Sequence, residues 1–69
     1  MSTLPNIEIV SAKVHEAWMN GKIAKGITTR KAEDGEELMV PYSELSEPQK
    51  DQDRQTVLAV YRAIEALSA

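Results

Sequence analysis

The feature that most constrains this chain is a series in its second half, where Ser46-Glu47-Pro48-Gln49 precedes apolar residues at Val57, Val60, Tyr61, Ile64 and Leu67. Those spacings gather five side chains on one stripe of an α-helix but would scatter them over both faces of a strand, so the segment is expected to fold as an amphipathic helix. Its start is written just ahead of the stripe. Ser46 suits the N-cap, Gln49 can return a hydrogen bond to the Ser46 backbone N–H, and Pro48 falls in the first turn, where a missing N–H has no partner to lose. Asp51, Asp53, Arg54 and Arg62 lie off the stripe, toward solvent or another helix. A single apolar stripe needs a second element to cover it.

The first half offers that element. Ile7, Val10, Val14, Ala17, Trp18 and Ile23 recur at helical spacing, which predicts a first helix, although Ile7-Glu8-Ile9 alone also reads as strand. Asn6 and Ser11 are the two candidate N-caps. Gly26 is the expected stop, with Lys22 and Lys25 where the helix dipole favours cations, and Asn20-Gly21 is the competing one. Between the helices, residues 27–42 are mostly polar around the turn dipeptide Asp34-Gly35. Two short antiparallel strands are expected there, Ile27-Thr28-Thr29 and Leu38-Met39-Val40, the second ended by Pro41, which has no N–H to donate. The expected fold is therefore α+β and mainly helical. Two helices pack with a short irregular β-hairpin, as one domain over 7–69 behind an N-terminal arm of residues 1–6.

Sixty-nine residues make one small domain, which buries only about 60% of the surface its unfolded chain exposes. A partner or a second copy would add burial. No cysteine is present, so neither disulfides nor thiolate metal sites staple the fold. No window approaches the ~18 apolar residues of a membrane span, and the first residues lack a basic, then apolar, leader, so a soluble cytoplasmic protein is expected. The net charge of −3 argues against a nonspecific nucleic-acid binder, which carries a basic excess.

Catalytic chemistry finds little support. His15-Glu16 would need a second histidine at the position of Met19 to make a metalloprotease helix, and His15 is the only histidine. Ser43, Ser46 and Ser68 lack a glycine elbow. Glu33, Asp34, Glu36 and Glu37 share one polar loop and read as a solvated turn. No phosphate-cradling glycine motif occurs. The chain is expected to be no enzyme and to use no cofactor. His15 is instead expected to hydrogen-bond a loop carbonyl and fix the first helix against Pro41-Tyr42. The remaining constellation is aromatic and basic. Trp18, Tyr42 and Tyr61 can stack, and Lys22, Lys25, Arg30, Lys31, Lys50 and Arg54 can meet phosphate, a set that suits a nucleotide-like ligand. Trp18 also lies on an apolar stripe, where a lone tryptophan is more often core than a binding platform.

Three motifs in order, Val14-His15-Glu16-Ala17-Trp18, Leu38-Met39-Val40-Pro41-Tyr42 and Lys50-Asp51-Gln52-Asp53-Arg54, resemble the ryanodine receptor repeat, over roughly Ile7 to Leu67. The resemblance implies a non-catalytic binding module, in a solitary bacterial or phage copy, with a nucleotide-like small ligand. Its alternative is a protein–protein interaction or assembly module with no small-molecule ligand. By the same resemblance Trp18, Lys22, Tyr42 and Arg54 are the ligand-binding candidates, while His15, Glu16, Pro41 and Asp53 form the structural motif. Tandem pairing of such repeats about a pseudo-twofold axis implies a homodimer for a single copy. The chain departs from the family after Gly26, where Ile27, Thr29 and Arg30 stand in place of two aromatics and a glycine. It departs again at Glu36-Glu37, where histidine-proline is usual. Both departures fall in the loop that would wall a ligand site.

Overall fold

The computed structural model describes residues 5–68. Of the arm 1–6, only Pro5 and Asn6 lie within them. Helix α1 spans Ile7–Ala24 and helix α2 spans Glu47–Ser68, with one 3₁₀ turn, Tyr42–Glu44, between. Neither helix is long and apolar enough to cross a membrane.

Helix α1 begins where Asn6 Oδ1 accepts from the Glu8 N–H at 2.8 Å, so Asn6 is the cap and Ser11 lies within the helix. It continues through Asn20-Gly21. The stop comes at Gly26, whose φ of +81° lies in the region that residues with a Cβ resist. There the Ile27 and Gly26 N–H groups donate to the Lys22 and Ile23 carbonyls at 3.0 and 2.9 Å, the paired bonds of a Schellman motif.

The expected β-hairpin does not form. Lys31 and Glu37 make one isolated antiparallel bridge, flanked by hydrogen bonds from Ala32 N–H to the Glu36 carbonyl and from Leu38 N–H to the Arg30 carbonyl. The turn at Asp34-Gly35 is present, with Gly35 at φ +89°. Strand pairing fails to extend because the Glu37 side chain takes its place. That carboxylate accepts from the Arg30 N–H at 2.7 Å, the Met39 N–H at 3.0 Å and the Thr29 hydroxyl. A backbone N–H needs a partner but not a strand partner. The mainly helical part of the expected fold class stands, without a sheet among the described residues.

Glu36 performs a second bridging task. Its carboxylate accepts from the Ser46 N–H at 2.8 Å and the Ser46 hydroxyl at 2.6 Å. Ser46 directly precedes α2, as expected, yet the acid that returns a bond to it comes from the loop and not from Gln49. With Asp34, which accepts from the Glu36 N–H at 2.9 Å, three of the four acids expected to be solvated thus tie the loop to itself or to α2.

The interior is small. Among the described residues Leu45 and Val57 are its buried apolar ones, beside two polar ones, Ser11 and His15. The packed face of α1 is therefore offset from the apolar series read in the sequence, since Val14 and Ile23 remain exposed. Ser11 is small enough for close packing, and its hydroxyl has no hydrogen-bond partner among the described residues. Farther along α2, Tyr61 donates to the Pro5 carbonyl at 3.1 Å, which pins the chain just before α1.

Candidate ligand-binding site

His15 organises the ground between α1, the loop and α2. It falls four residues after Ser11, on the same buried face. Its Nε2 lies 2.7 Å from the Val40 carbonyl oxygen. A carbonyl only accepts, so Nε2 carries the proton and donates. Pro41 restricts Val40 to extended backbone, and Pro41 itself is exposed. The other ring nitrogen, Nδ1, faces Asp53 Oδ2 at 3.8 Å. Trp18 stacks on the imidazole with centroids 5.5 Å apart and planes at 26°.

Beside this stack opens a cavity of about 350 Å³, within the ~300–1,000 Å³ usual for small-molecule sites. Leu38 and Leu45 give it an apolar wall and Trp18 an aromatic one. Lys22, one turn beyond Trp18, holds Nζ 5.8 Å from the indole centroid, and Arg30 enters from the loop. Among the described residues neither the Lys22 ammonium nor the Arg30 guanidinium has an ion-pair partner. Helix α2 contributes Gln49, Gln52 and Asp53, whose spacing of three and four places them on one face. A second hollow of about 540 Å³ runs along 30–34 and shares Arg30, Leu38, Gln49 and Gln52 with the first.

Asp53 is the unusual group of the cavity. Its side chain is 29% exposed, yet its carboxylate accepts no hydrogen bond among the described residues. Burial pushes its carboxyl above the ordinary range, and the neighbouring His15 partly opposes that. Taken together, the cavity presents an aromatic face, two unpaired cations and an acceptor without a donor.

Tyr42 and Arg54 are placed elsewhere. Glu8 accepts from the Tyr42 hydroxyl at 2.9 Å and from Arg54 Nε. Arg54 also reaches Glu47 at 3.2 Å and Asp51 at 3.9 Å. The Arg54 hydrogen bond, then that from Tyr42, holds the Glu8 carboxyl below the usual carboxylate range. Burial, then the bond to Glu8, pushes the Tyr42 phenol up. This network joins the start of α1 to the 3₁₀ turn and the first turns of α2. Of the four ligand-binding candidates, Trp18 and Lys22 line the cavity, whereas Tyr42 and Arg54 lie in the network. Glu16 is exposed. Sequence reasoning missed the Gln49 and Gln52 contribution, although their spacing to Asp53 was the available signal. No group of three or more His, Cys, Asp or Glu able to hold a metal occurs among the described residues.

Fold and cavity together define a small helical module with a solvent-open site built by two helices and a loop. The family model of the RyR domain matches residues 3–69, and the chain belongs to that family. Among curated proteins and among solved structures, none matches the chain.

Proposed function

We propose that this chain is a non-catalytic cytosolic binding module, a solitary bacterial or phage copy of its family, that holds a nucleotide-like small molecule in the cavity beside Trp18. The observation that carries this reading is the unsatisfied polar set around an aromatic ring. Lys22 and Arg30 lack anions, and Asp53 lacks a donor, in a hollow of about 350 Å³. Lys22 and Asp53 are half-buried, where polar groups normally find partners, while Arg30 is exposed and free to reach a ligand. A planar base with an attached phosphate supplies partners of both kinds, and the adjoining hollow gives the rest of the ligand room. Native mass spectrometry of gently purified protein tests this. Extra mass of nucleotide size, lost in Trp18→Ala protein that keeps its helical circular dichroism, is the expected result. A bare species that also gains no mass with added nucleotides refutes it.

One observation favours a second reading, assembly with another polypeptide. Val60, Ile64 and Leu67 are 52%, 40% and 88% exposed, so the far half of α2 carries apolar surface that none of the described residues covers. A homodimer would cover it and add burial that so short a chain lacks. A monomer mass at high protein concentration removes the homodimer.

A further inference from the structure

We infer that the base held in this cavity is guanine, with its edge read by the Asp53 carboxylate while Trp18 stacks on its face and Lys22 and Arg30 meet the phosphate. The inference rests on the nucleotide reading above and names the ligand within it. Its starting point is what α2 presents to the cavity. Asp53 offers two acceptor oxygens in one plane, and an ionised carboxylate cannot donate. Gln49, one turn earlier on the same face, carries an amide whose NH₂ donates. Side chains four apart on a helix are neighbours, with Cβ atoms roughly 5–6 Å apart. The row on offer is thus an amide, able to turn its NH₂ toward a ligand acceptor, followed by two acceptors.

Guanine presents the complement, O6 as acceptor followed by N1–H and the 2-amino group as two adjacent donors. The paired donors match the two oxygens of a carboxylate, and O6 falls toward Gln49. Adenine offers one donor, its 6-amino group, beside the N1 lone pair, which would face the second Asp53 oxygen and repel it. Cytosine has one donor and two acceptors, and uracil a single donor between two acceptors. Only guanine among the common bases satisfies both oxygens.

The surroundings favour this use of Asp53. Its ion-pair neighbour among the described residues, His15 Nδ1 at 3.8 Å, is beyond hydrogen-bond length. The side chain keeps 29% of its surface open, enough to be reached. Trp18 lies against the same imidazole, so the stacking face and the reading edge belong to one packed unit. Lys22 over the indole and Arg30 in the loop bring two cations to the cavity against the single carboxylate of Asp53. That balance draws a phosphate as well as the base.

Isothermal calorimetry with GMP, IMP and AMP on the full chain tests the assignment, with fluorescence of Trp18, the sole tryptophan, as a second readout. GMP is expected to bind about tenfold or more tighter than AMP, the usual discrimination of a bidentate pair. IMP, which keeps N1–H and lacks the 2-amino group, falls between. Asp53→Asn abolishes the preference, because an amide replaces one of the two acceptors with a donor. The IMP comparison needs no substitution, so it holds even if that variant misfolds. Equal binding of AMP and GMP overturns the guanine assignment and leaves the nucleotide reading standing. Binding of neither overturns both, and a preference for GMP that survives Asp53→Asn overturns the role of Asp53.

Discussion

Two polar clusters flank His15 and differ in one respect. In the cluster of Glu8, Tyr42, Arg54 and Glu47, opposite charges meet within 4 Å and the phenol has its acceptor. In the cavity, Lys22 and Arg30 meet no such partners among the described residues, and Asp53 meets His15 Nδ1 at 3.8 Å, beyond hydrogen-bond length. The first cluster spans three elements and closes the fold upon itself, while the second leaves its hydrogen-bonding capacity open. A polar group satisfied within the chain stabilises that chain, and one left open at a hollow costs stability until a ligand arrives. Proximity of aromatic and basic residues therefore does not by itself make a site. Tyr42 and Arg54 have the right chemistry and have already used it.

Substitutions can break this contrast. The largest effect belongs to His15, which touches both clusters. His15→Ala removes a buried ring, strands the Val40 carbonyl and takes the support from behind Trp18 and Asp53. Leaving a buried carbonyl unpaired costs about 1–3 kcal/mol, before any loss of packing, a large share of the few kcal/mol a domain of this size holds. Urea denaturation followed by circular dichroism should show the midpoint fall steeply, with ligand binding lost alongside.

The next test separates the clusters. Arg54→Ala should lower the melting temperature by several degrees and leave nucleotide affinity unchanged. Lys22→Ala should do the reverse, weakening affinity roughly tenfold, as loss of a hydrogen bond to a charged group does, with little change in melting. Paired calorimetry and thermal melts decide this, and a drop in affinity with Arg54→Ala would erase the distinction between the clusters.

The smallest effect is in acid. Hydrogen bonds from the Arg30 N–H, the Thr29 hydroxyl and the Met39 N–H pull the Glu37 carboxyl down from 4.5 to about 2. A carboxyl lowered on folding lends stability above its unfolded value, and that contribution is lost as pH falls from 4.5 toward 2. Asp53 has the opposite sign. Its raised carboxyl favours protonation in the folded state, so its contribution improves as pH falls. Glu37→Gln should flatten the loss of melting temperature between pH 5 and pH 2, as read by circular dichroism. An unchanged slope would show that Glu37 does not carry the acid limb.

Much of the scaffold was legible beforehand because its signals are local. Asn6 and Gly26 mark the ends of α1 through bonds to residues within a few positions, and Ser46 stands just before α2 as its pattern indicates, although its N–H and hydroxyl bond Glu36 ten residues away. The loop was not legible in the same way. Residues 27–42 contain strand-like runs, but Glu36 and Glu37 compete with strand pairing for the same N–H groups, and sequence patterning does not weigh a carboxylate against a carbonyl. Nor did periodicity identify the packed face of α1, where Ser11 and His15 are buried while Val14 and Ile23 are not. Apolar patterning assumes that burial follows hydrophobicity, and a small hydroxyl or a hydrogen-bonded imidazole can override it.

The site divides along the same line. Trp18 and Lys22, four apart on one helix, could be paired by counting. That Arg30 and Asp53 join them, and that Tyr42 and Arg54 do not, depends on how α2 sits against α1 and the loop. By itself the sequence determined the two helices, narrowed each end of the first to two candidates, and set the stock of aromatic, cationic and acidic side chains, because each follows from interactions a few residues long. Tertiary structure alone decided which charges neutralise one another and which face an open cavity. Ion pairs such as Glu8 with Arg54 join residues far apart in the chain, and only packing sets those distances.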